Sequence, residues 1–550
     1  MVTVKEYKKA PAIIAGEVVE KLAESSTFSK VEAVNPGFIN MNLSGQFIAD
    51  YVKEMGSHEK FGCDETKKNK TIMLDYGGAN VAKPLHVGHL RPAIIGESLK
   101  RICAYNGYDT VGDVHLGDWG LQMGLIIMEL KNRKPELPYF DESFTGEYPA
   151  EAPFTLAELE DIYPCASRKS KEDAEFAEAA HQATVMLQRG HRGYTAIWKH
   201  IMNISIADLK RNYDNLNVSF DVWKGESDAK PYIEDMLKSF VDKGYAYESQ
   251  GALVIDVAQA DDKKEIPPCI VRKSDGAALY ATTDLATMIE REKLYHPFKY
   301  IYTTDKRQEM HFTQIFRAAK KTGIVPQDTE MDFLGFGTMN GKDGKPFKTR
   351  DGGVMRLEYL VSEIDNEMLK KITENQKAKE NLGISEEEAK ETAKTVALAA
   401  IKYGDLSNQA SKDYIFDIDR FTSFEGNTGP YILYTIVRIK SILNKYHSMG
   451  KDESGAVIEA AHSASEKNLM LALSGFGAMM ENAYEETAPH KICSYIYELA
   501  NAFNSFYHET KIMSEENEQI QKSYIRLLEL TKSVLETCID LLGFKAPERM

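Results

Sequence analysis

Two histidines three residues apart, His86 and His89, stand in the stretch Asp75–Arg91, which reads Asp-Tyr-Gly-Gly-Ala-Asn-Val-Ala-Lys-Pro-Leu-His-Val-Gly-His-Leu-Arg. Such a pair can hold a metal, cap a helix or bind a phosphate. No third Cys, His or carboxylate lies nearby at a familiar zinc spacing, so no metal is expected. Gly88 between the histidines suits a flat ring lying on the backbone, and Lys83 adds a cation just upstream. The preceding Thr71-Ile72-Met73-Leu74 is apolar and β-prone, as a buried parallel strand should be. Gly77 and Gly78 break that strand, and Pro84 fits the loop before a helix. From Gly88 onward, Leu90, Ile94, Ile95, Leu99 and Ile102 fall at near-helical spacing. The histidines are thus placed at a strand-to-helix turn, where backbone N–H groups and the helix dipole favour phosphate.

A second group of residues suits a guanidinium. Asp75, Tyr280, Asp284 and Gln308 are all expected beyond the carboxyl ends of strands, where ligands of α/β sheets bind. Carboxylates there can pair with the fork of donors, while a phenol and an amide refine the fit. His115 and Gln122, around Gly117-Asp-Trp-Gly120, are further pocket candidates, whereas Trp119 reads as packing.

The elements that position these groups follow from the pattern of the whole chain. With 550 residues it exceeds one core, and roughly three to four domains are expected. Residues 1–66 read as a small α+β module, with a helix around Ile13–Leu22, the turn Asn35-Pro-Gly37, an alternating strand at Phe38–Leu43 and a helix at Ser44–Met55. Residues 67–353 alternate strand and helix, which predicts a Rossmann-like doubly wound parallel sheet. Strands are expected at Thr71–Leu74, Tyr108–Val111, Leu253–Asp256, Ile270–Arg272, Lys299–Thr303 and Met331–Leu334, with a hairpin turn at Asp275-Gly276. A charged helical insertion interrupts the sheet at about 130–225. Residues 354–415 form a helical connector, and 416–550 an all-α bundle. Its stripes are Ile492, Tyr495, Ile496, Leu499, Phe503 and Phe506, then Tyr524, Leu527, Leu528, Leu535, Cys538 and Leu542, interrupted by Thr531.

The composition is that of a globular chain, and no apolar run approaches the ~20 residues that cross a bilayer. The amino terminus lacks the apolar core of a signal peptide. Six cysteines (63, 103, 165, 269, 493 and 538) form no Cys-x-x-Cys pair, so reduced thiols in a cytoplasm are expected. The formal charge of −16 argues mildly against a nucleic-acid partner, although a local basic face remains compatible with it.

His-Val-Gly-His resembles the nucleotide-binding signature of class I aminoacyl-tRNA synthetases. Asn80-Val-Ala-Lys-Pro-Leu85 and Leu90-Arg-Pro92 narrow the resemblance to arginyl-tRNA synthetases. It extends over essentially the whole chain. Tyr280-x-x-x-Asp284 and Gln308-x-x-His311 match that family's arginine pocket, and Asn80 matches the residue that helps hold the amino acid. Where Asp75 stands the family often has Glu, so direct guanidinium contact falls first to Asp284. The loop Asn340–Gly353 stands where the second class I signature is expected, in the degenerate form Phe347-Lys-Thr-Arg-Asp351. The resemblance therefore shares the pyrophosphate role among Lys83, Lys348 and Arg350.

The same resemblance implies that His86, Gly88, His89 and Lys83 bind ATP, which enters with Mg2+ as substrate, and that His86, His89, Lys83, Lys348 and Arg350 are the catalytic set. Asn35-Pro-Gly-Phe-Ile-Asn40 looks like the family's amino-terminal tRNA-contacting loop, making Asn35, Phe38 and Asn40 RNA candidates. Gly429–Arg438 and Leu541–Met550 resemble the start and end of its anticodon-binding domain, adding Tyr431, Tyr434 and Arg438. The implied activity is ATP-dependent activation of L-arginine and its transfer to the terminal adenosine of tRNA-Arg, by a monomer. Two alternatives stand beside it: another class I adenylating enzyme, and a non-catalytic tRNA-binding relative.

Overall fold

The amino-terminal segment forms an antiparallel hairpin. Strand β1 (Phe28–Val34) pairs with β2 (Phe38–Leu43), with Val34 opposite Phe38 and Glu32 opposite Asn40. The helix Gly45–Ser57 follows, capped by the Ser44 hydroxyl, which accepts from the Phe47 N–H at 3.2 Å. Its buried face is short, comprising Ile48, Ala49, Val52 and Met55. That stripe is too small to close a core by itself. It packs against the helix Ala464–Ser474, and Lys467 Nζ donates to the Leu43 carbonyl at 3.0 Å. The computed structural model describes residues 7–63, 66–274, 279–345, 355–378 and 385–550, and these group into two units. One comprises Met1–Thr66, Met368–Ser407 and Asp419–Met550, so the segment expected as a separate module shares a core with the carboxy-terminal helices. The other comprises Lys67–Glu367 and Asn408–Ile418.

In the first unit the expected stripes are core. Ile492, Ile496, Leu499, Phe503 and Phe506 are buried on the helix Pro489–Glu509. Tyr524, Leu527, Leu528, Leu535 and Cys538 are buried on Glu518–Leu541. The polar interruption Thr531 is satisfied within its own helix, donating to the Leu527 carbonyl at 2.7 Å. All six cysteines are free.

The second unit is built on a four-stranded parallel sheet, β3 (Thr71–Asp75), β4 (Asp109–Asp113), β8 (Lys299–Asp305) and β9 (Glu330–Phe336), in the order β4-β3-β8-β9. The chain leaves β3 through the helix Leu90–Tyr105 to β4 on one side, and leaves β8 through Glu309–Thr322 to β9 on the other. The winding reverses between β3 and β8, the place where open α/β sheets leave a crevice for ligands. β3 is buried at Ile72, Met73 and Leu74 and β8 throughout its first five residues, as parallel strands covered on both faces should be.

Two expectations change here. The segments at 253–256 and 270–272 do not join the parallel sheet. They form, with β5 (Ala246–Ser249), a separate antiparallel sheet of β5, β6 (Ala252–Ile255) and β7 (Cys269–Arg272). The burial of β7 alternates, which marks a strand covered on one face only. Asp275-Gly276, expected as a hairpin turn, lies outside the described residues. The connector expected at 354–415 is not an element of its own. Strand β11 (Tyr414–Ile415) pairs in parallel with β10 (Met339–Asn340) of the sheet unit, whereas the helix Glu386–Leu406 packs on Gly429–Ser448. The insertion consists of the helices Leu156–Glu172, Ala174–Gln188 and Arg192–Asn215, against Leu121–Arg133.

Candidate active site

His86 and His89 sit at the predicted strand-to-helix turn, on the short 3-10 turn Val87–His89 before the helix Leu90–Tyr105. They cap that turn reciprocally. The Gly88 N–H donates to His86 Nδ1 at 3.1 Å, and the His86 N–H donates to His89 Nδ1 at 3.1 Å, with ring centroids 3.9 Å apart. An Nδ1 that accepts from an amide leaves the imidazole proton on Nε2. Burial, then the nearby Lys83 charge, lowers the His86 pKa; burial, then His86, takes His89 down to about 3. Two neutral rings therefore each present an Nε2–H donor. Gly88 is required by close approach, because a Cβ there would lie 2.8 Å from His86 Cε1.

The surrounding chain holds this turn in place. The Val87 N–H donates to the Met355 carbonyl at 3.0 Å and the Leu357 N–H to the Leu85 carbonyl at 2.9 Å. Arg91, buried to 1% exposure, donates from Nη1 to the Gly337 carbonyl at 2.6 Å and to that of Lys412 at 3.1 Å. Lys83 lies with its ammonium 4.6 Å from the centroid of the Tyr163 ring, on the inserted helix Leu156–Glu172. Lys348 and Arg350, expected to share its role, lie outside the described residues.

Asn80 is exposed and bridges by backbone to Gly117, and a Cβ at Gly117 would collide with the Asn80 carboxamide oxygen. This ties the Gly-Asp-Trp-Gly segment to the signature loop. Gln122 is a support here, donating to the Gly117 carbonyl at 2.6 Å. Trp119 packs edge-on against Trp198 at 5.4 Å.

Asp75, at the end of β3, has a partner that sequence reasoning did not supply. Arg291 is 3% exposed and donates from Nη2 to Asp75 Oδ2 at 2.6 Å and Asp113 Oδ2 at 2.5 Å, and from Nη1 to the Tyr302 hydroxyl at 2.9 Å. One guanidinium thus fastens the carboxyl ends of β3 and β4 to the middle of β8. Asp75 is committed to Arg291 through that oxygen; burial nonetheless raises its pKa, against the Arg291 charge.

His115 stands two residues beyond β4 with φ of 34°. Its Nδ1 is 3.6 Å from Asp113 Oδ2, an ion-pair distance too long for a hydrogen bond, and among the described residues neither ring nitrogen has a hydrogen-bond partner. Burial opposes the charge, yet the Asp113 carboxylate raises His115 to about 9. A ring so raised keeps its proton at neutral pH and carries two N–H donors.

Asp284 lies in the first turns of the helix Tyr280–Tyr295 and accepts from His311 Nε2 at 2.6 Å. Tyr280, the first residue of that helix, is 73% exposed. Gln308 occupies the N-cap position of the helix carrying His311, three residues beyond β8, and is exposed. Glu226 completes the group and was not expected from sequence. Burial, then the charges of Asp118 and Asp284, raise it to about 7, with His115 opposing. Tyr280 is raised by burial and by Glu226 and Asp284 in turn. Asp118, which accepts from the Ser227 hydroxyl at 2.6 Å, backs Glu226. No motif marks Glu226; its signal is only a carboxylate opening a short helix beside Gly225, which bridges to Leu116 beyond β4.

The RNA candidates belong to the other unit. Asn35, Phe38 and Asn40 are all exposed on the β1–β2 hairpin, Phe38 at 68%. Tyr431, Tyr434 and Arg438 share one half-buried cluster on the helix Gly429–Ser448. The Arg438 guanidinium lies 4.8 Å from the Tyr434 ring and 5.2 Å from that of Tyr507, and donates to Asn504 Oδ1 at 2.5 Å. The Tyr431 hydroxyl donates to Asn501 Oδ1 at 2.7 Å and accepts from Asn504 Nδ2 at 2.9 Å.

Known proteins share this arrangement of domains. The family model "tRNA synthetases class I (R), catalytic domain" matches residues 52–418, "DALR anticodon binding domain" residues 432–550, and "Arginyl tRNA synthetase N terminal domain" residues 1–43. The chain is 66% identical to the arginine–tRNA ligase of Agathobacter rectalis, covering 100% of this chain and 93% of that one. It is 56% identical to that of Alkaliphilus oremlandii, covering 99% and 92%. The crystal structure of arginyl-tRNA synthetase from Plasmodium falciparum superposes with a TM-score of 0.78 at 26% identity, over 97% of this chain and 89% of that one.

Proposed function

Since the chain belongs to the class I arginyl-tRNA synthetases and is an arginine–tRNA ligase, we propose that its two histidines, its signature lysine and the acidic pocket around Asp284 divide the work of activating arginine. The substrate guanidinium pairs with Asp284 and Glu226, with Tyr280 and Gln308 closing round it. Asn80 holds the amino acid at its other end, and the His115 cation attracts its carboxylate. Asp75 contributes through Arg291, by keeping the strand ends together.

ATP enters as its magnesium complex. The arginine carboxylate oxygen attacks the α-phosphorus, the bond to the bridging oxygen breaks, and pyrophosphate leaves with the electron pair. Positioning and charge stabilisation drive this step, and no enzyme nucleophile is required. The Nε2–H groups of His86 and His89 donate to phosphate and ribose-side oxygens without adding charge. Lys83, with Lys348 and Arg350, offsets the charge developing on pyrophosphate. The 2′-hydroxyl of the terminal adenosine then attacks the arginyl carbonyl and AMP leaves. Asn35, Phe38 and Asn40, with Tyr431, Tyr434 and Arg438, bind tRNA-Arg, and the enzyme acts as a cytoplasmic monomer. Among the described residues no helix is long and apolar enough to cross a membrane.

What carries the substrate assignment is the gathering of acidic side chains, Asp284, Glu226 and Asp118. Burial, then the Asp118 charge and that of Asp284, raises Glu226 to about 7, so a cation placed among them is favoured. The test is ATP–pyrophosphate exchange over a panel of amino acids, with and without tRNA. Exchange is expected with arginine alone and only when tRNA is present. Asp284→Ala should raise the KM for arginine about 100-fold with ATP affinity intact, as for loss of a charge-assisted pair. Exchange driven by an acidic or thiol side chain would refute the pocket, and a silent Asp284→Ala would move the guanidinium elsewhere.

A further inference from the structure

We infer that Tyr163 is a positioning residue for Lys83, and that the inserted helix Leu156–Glu172 thereby sets where the signature's cation stands. The inference rests on the role given to Lys83 above. Tyr163 belongs to the insertion: its ring packs against the small core of Leu125, Ala166, Phe176 and Ala180. The Lys83 ammonium meets that ring 4.6 Å from the centroid, within the range of a cation–π contact. Among the described residues no carboxylate pairs with Lys83, so the ring is the charge's one specific partner there.

The same turn of helix makes a second grip. Glu160 Oε2 accepts from Arg356 Nη1 at 2.9 Å, and Arg356 bridges by backbone to His86. Tyr163 and Glu160 stand three apart, on one helical face, and so hold Lys83 and the Arg356 bridge beside His86 together. Pro164 follows directly and lies inside the helix. It has no N–H to give the Glu160 carbonyl, so the turn bearing both grips lacks one helical hydrogen bond. A third tie lies nearby, where the Ala82 N–H donates to the Ser205 hydroxyl on Arg192–Asn215 at 2.9 Å. A flexible four-carbon chain beside a polyphosphate gains most from a partner that orients it without neutralising it. An aromatic face does this and a carboxylate would not.

The experiment is a series at position 163 read by pyrophosphate exchange, with thermal melting as the control for folding. Tyr163→Phe keeps the ring and should stay within about twofold of the parent. Tyr163→Phe carrying two and then four ring fluorines keeps the shape while draining the π face, and kcat/KM for ATP should fall stepwise to about 5- to 10-fold below. The KM for arginine should not move. In a Lys83→Met background the fluorines should have no further effect. Equal rates across the fluorinated series would overturn the inference while leaving Lys83's own role standing. Unaltered exchange in Lys83→Met alone would instead remove the reading on which it rests. A fluorine effect that persists without Lys83 would assign the ring to packing.

Discussion

Replacing Gly88 by alanine separates the position of the His86 ring from the stability of the fold. Gly88 is exposed and its φ is not in the left-handed region, so alanine is tolerated by the backbone. The new Cβ would lie 2.8 Å from His86 Cε1 and 2.9 Å from Nδ1, whereas ordinary contact begins at 3.4 Å. The ring must retreat by about 0.6 Å, which stretches the 3.1 Å bond from the Gly88 N–H to about 3.7 Å, beyond hydrogen-bond range. Losing that bond costs about 1 kcal/mol, and the reduced entropy of the unfolded chain returns about 0.5 kcal/mol. Stability should therefore stay within about 1 kcal/mol of the parent. The donor aimed at the nucleotide moves by about 0.6 Å, and since 1 Å of misplacement costs about 100-fold in rate, a loss of about tenfold is expected. Pyrophosphate exchange with tRNA, beside a urea melt, reads both numbers. Exchange within threefold of the parent at unchanged stability would refute the claim that this glycine exists to seat the ring. A collapse in stability would show that it serves the fold.

Three other outcomes follow from the same geometry. Arg291→Met should lower stability by about 3 kcal/mol, since it strips Asp75 of its guanidinium and leaves the buried Asp113 only the more distant His115. Urea unfolding should show part of that regained with Asp113→Asn added, and part regained on acidification from pH 7 to 5 as the orphaned carboxyls take up protons. For Glu226 the folded pKa of about 7 exceeds the ordinary 4.5. Its contribution to stability is therefore complete below pH 4.5 and lost as the pH rises to about 7, while arginine, which prefers the ionised carboxylate, should bind on the order of tenfold tighter at pH 8 than at pH 6. Calorimetric titration at the two values should show that gain vanish in Glu226→Gln. Arg438→Ala should weaken tRNA binding about tenfold in a filter assay and leave the KM for arginine unmoved at saturating tRNA.

What could be read from the sequence was local. The run Ile72-Met73-Leu74, the helical spacing from Leu90 to Ile102 and the glycine between two histidines each act over a few residues, and each is present where expected. The stripes on Pro489–Glu509 and Glu518–Leu541 were legible for the same reason. Contacts between distant segments were not. Asp75 looked like a substrate ligand because its partner Arg291 is 216 positions away, and nothing at either residue announces the other. Glu226 was missed because it closes the insertion in sequence and reaches the pocket only through pairing along β4. The strands at 253 and 270 were assigned to the wrong sheet, although the alternation Cys269-Ile-Val-Arg272 already argued for one covered face. The amino-terminal module needed the carboxy-terminal helices, hundreds of residues on, to complete its core.

The clamp formed by Arg291 bears on how an arginine enzyme avoids deceiving itself. Its catalytic floor carries two carboxylates, Asp75 and Asp113, chemically suited to the very side chain the enzyme must select. Left open, two adjacent carboxylates would themselves attract a guanidinium. The chain instead fills that place with an arginine of its own. Being tethered, this residue meets the two carboxylates as an intramolecular partner, at an effective concentration fixed by the fold. Under the proposed assignment the incoming guanidinium is left to the other acidic pair, Asp284 and Glu226, where it meets Asp284 beside His311. Selectivity here includes occupying, from within, the place where the right molecule would bind wrongly.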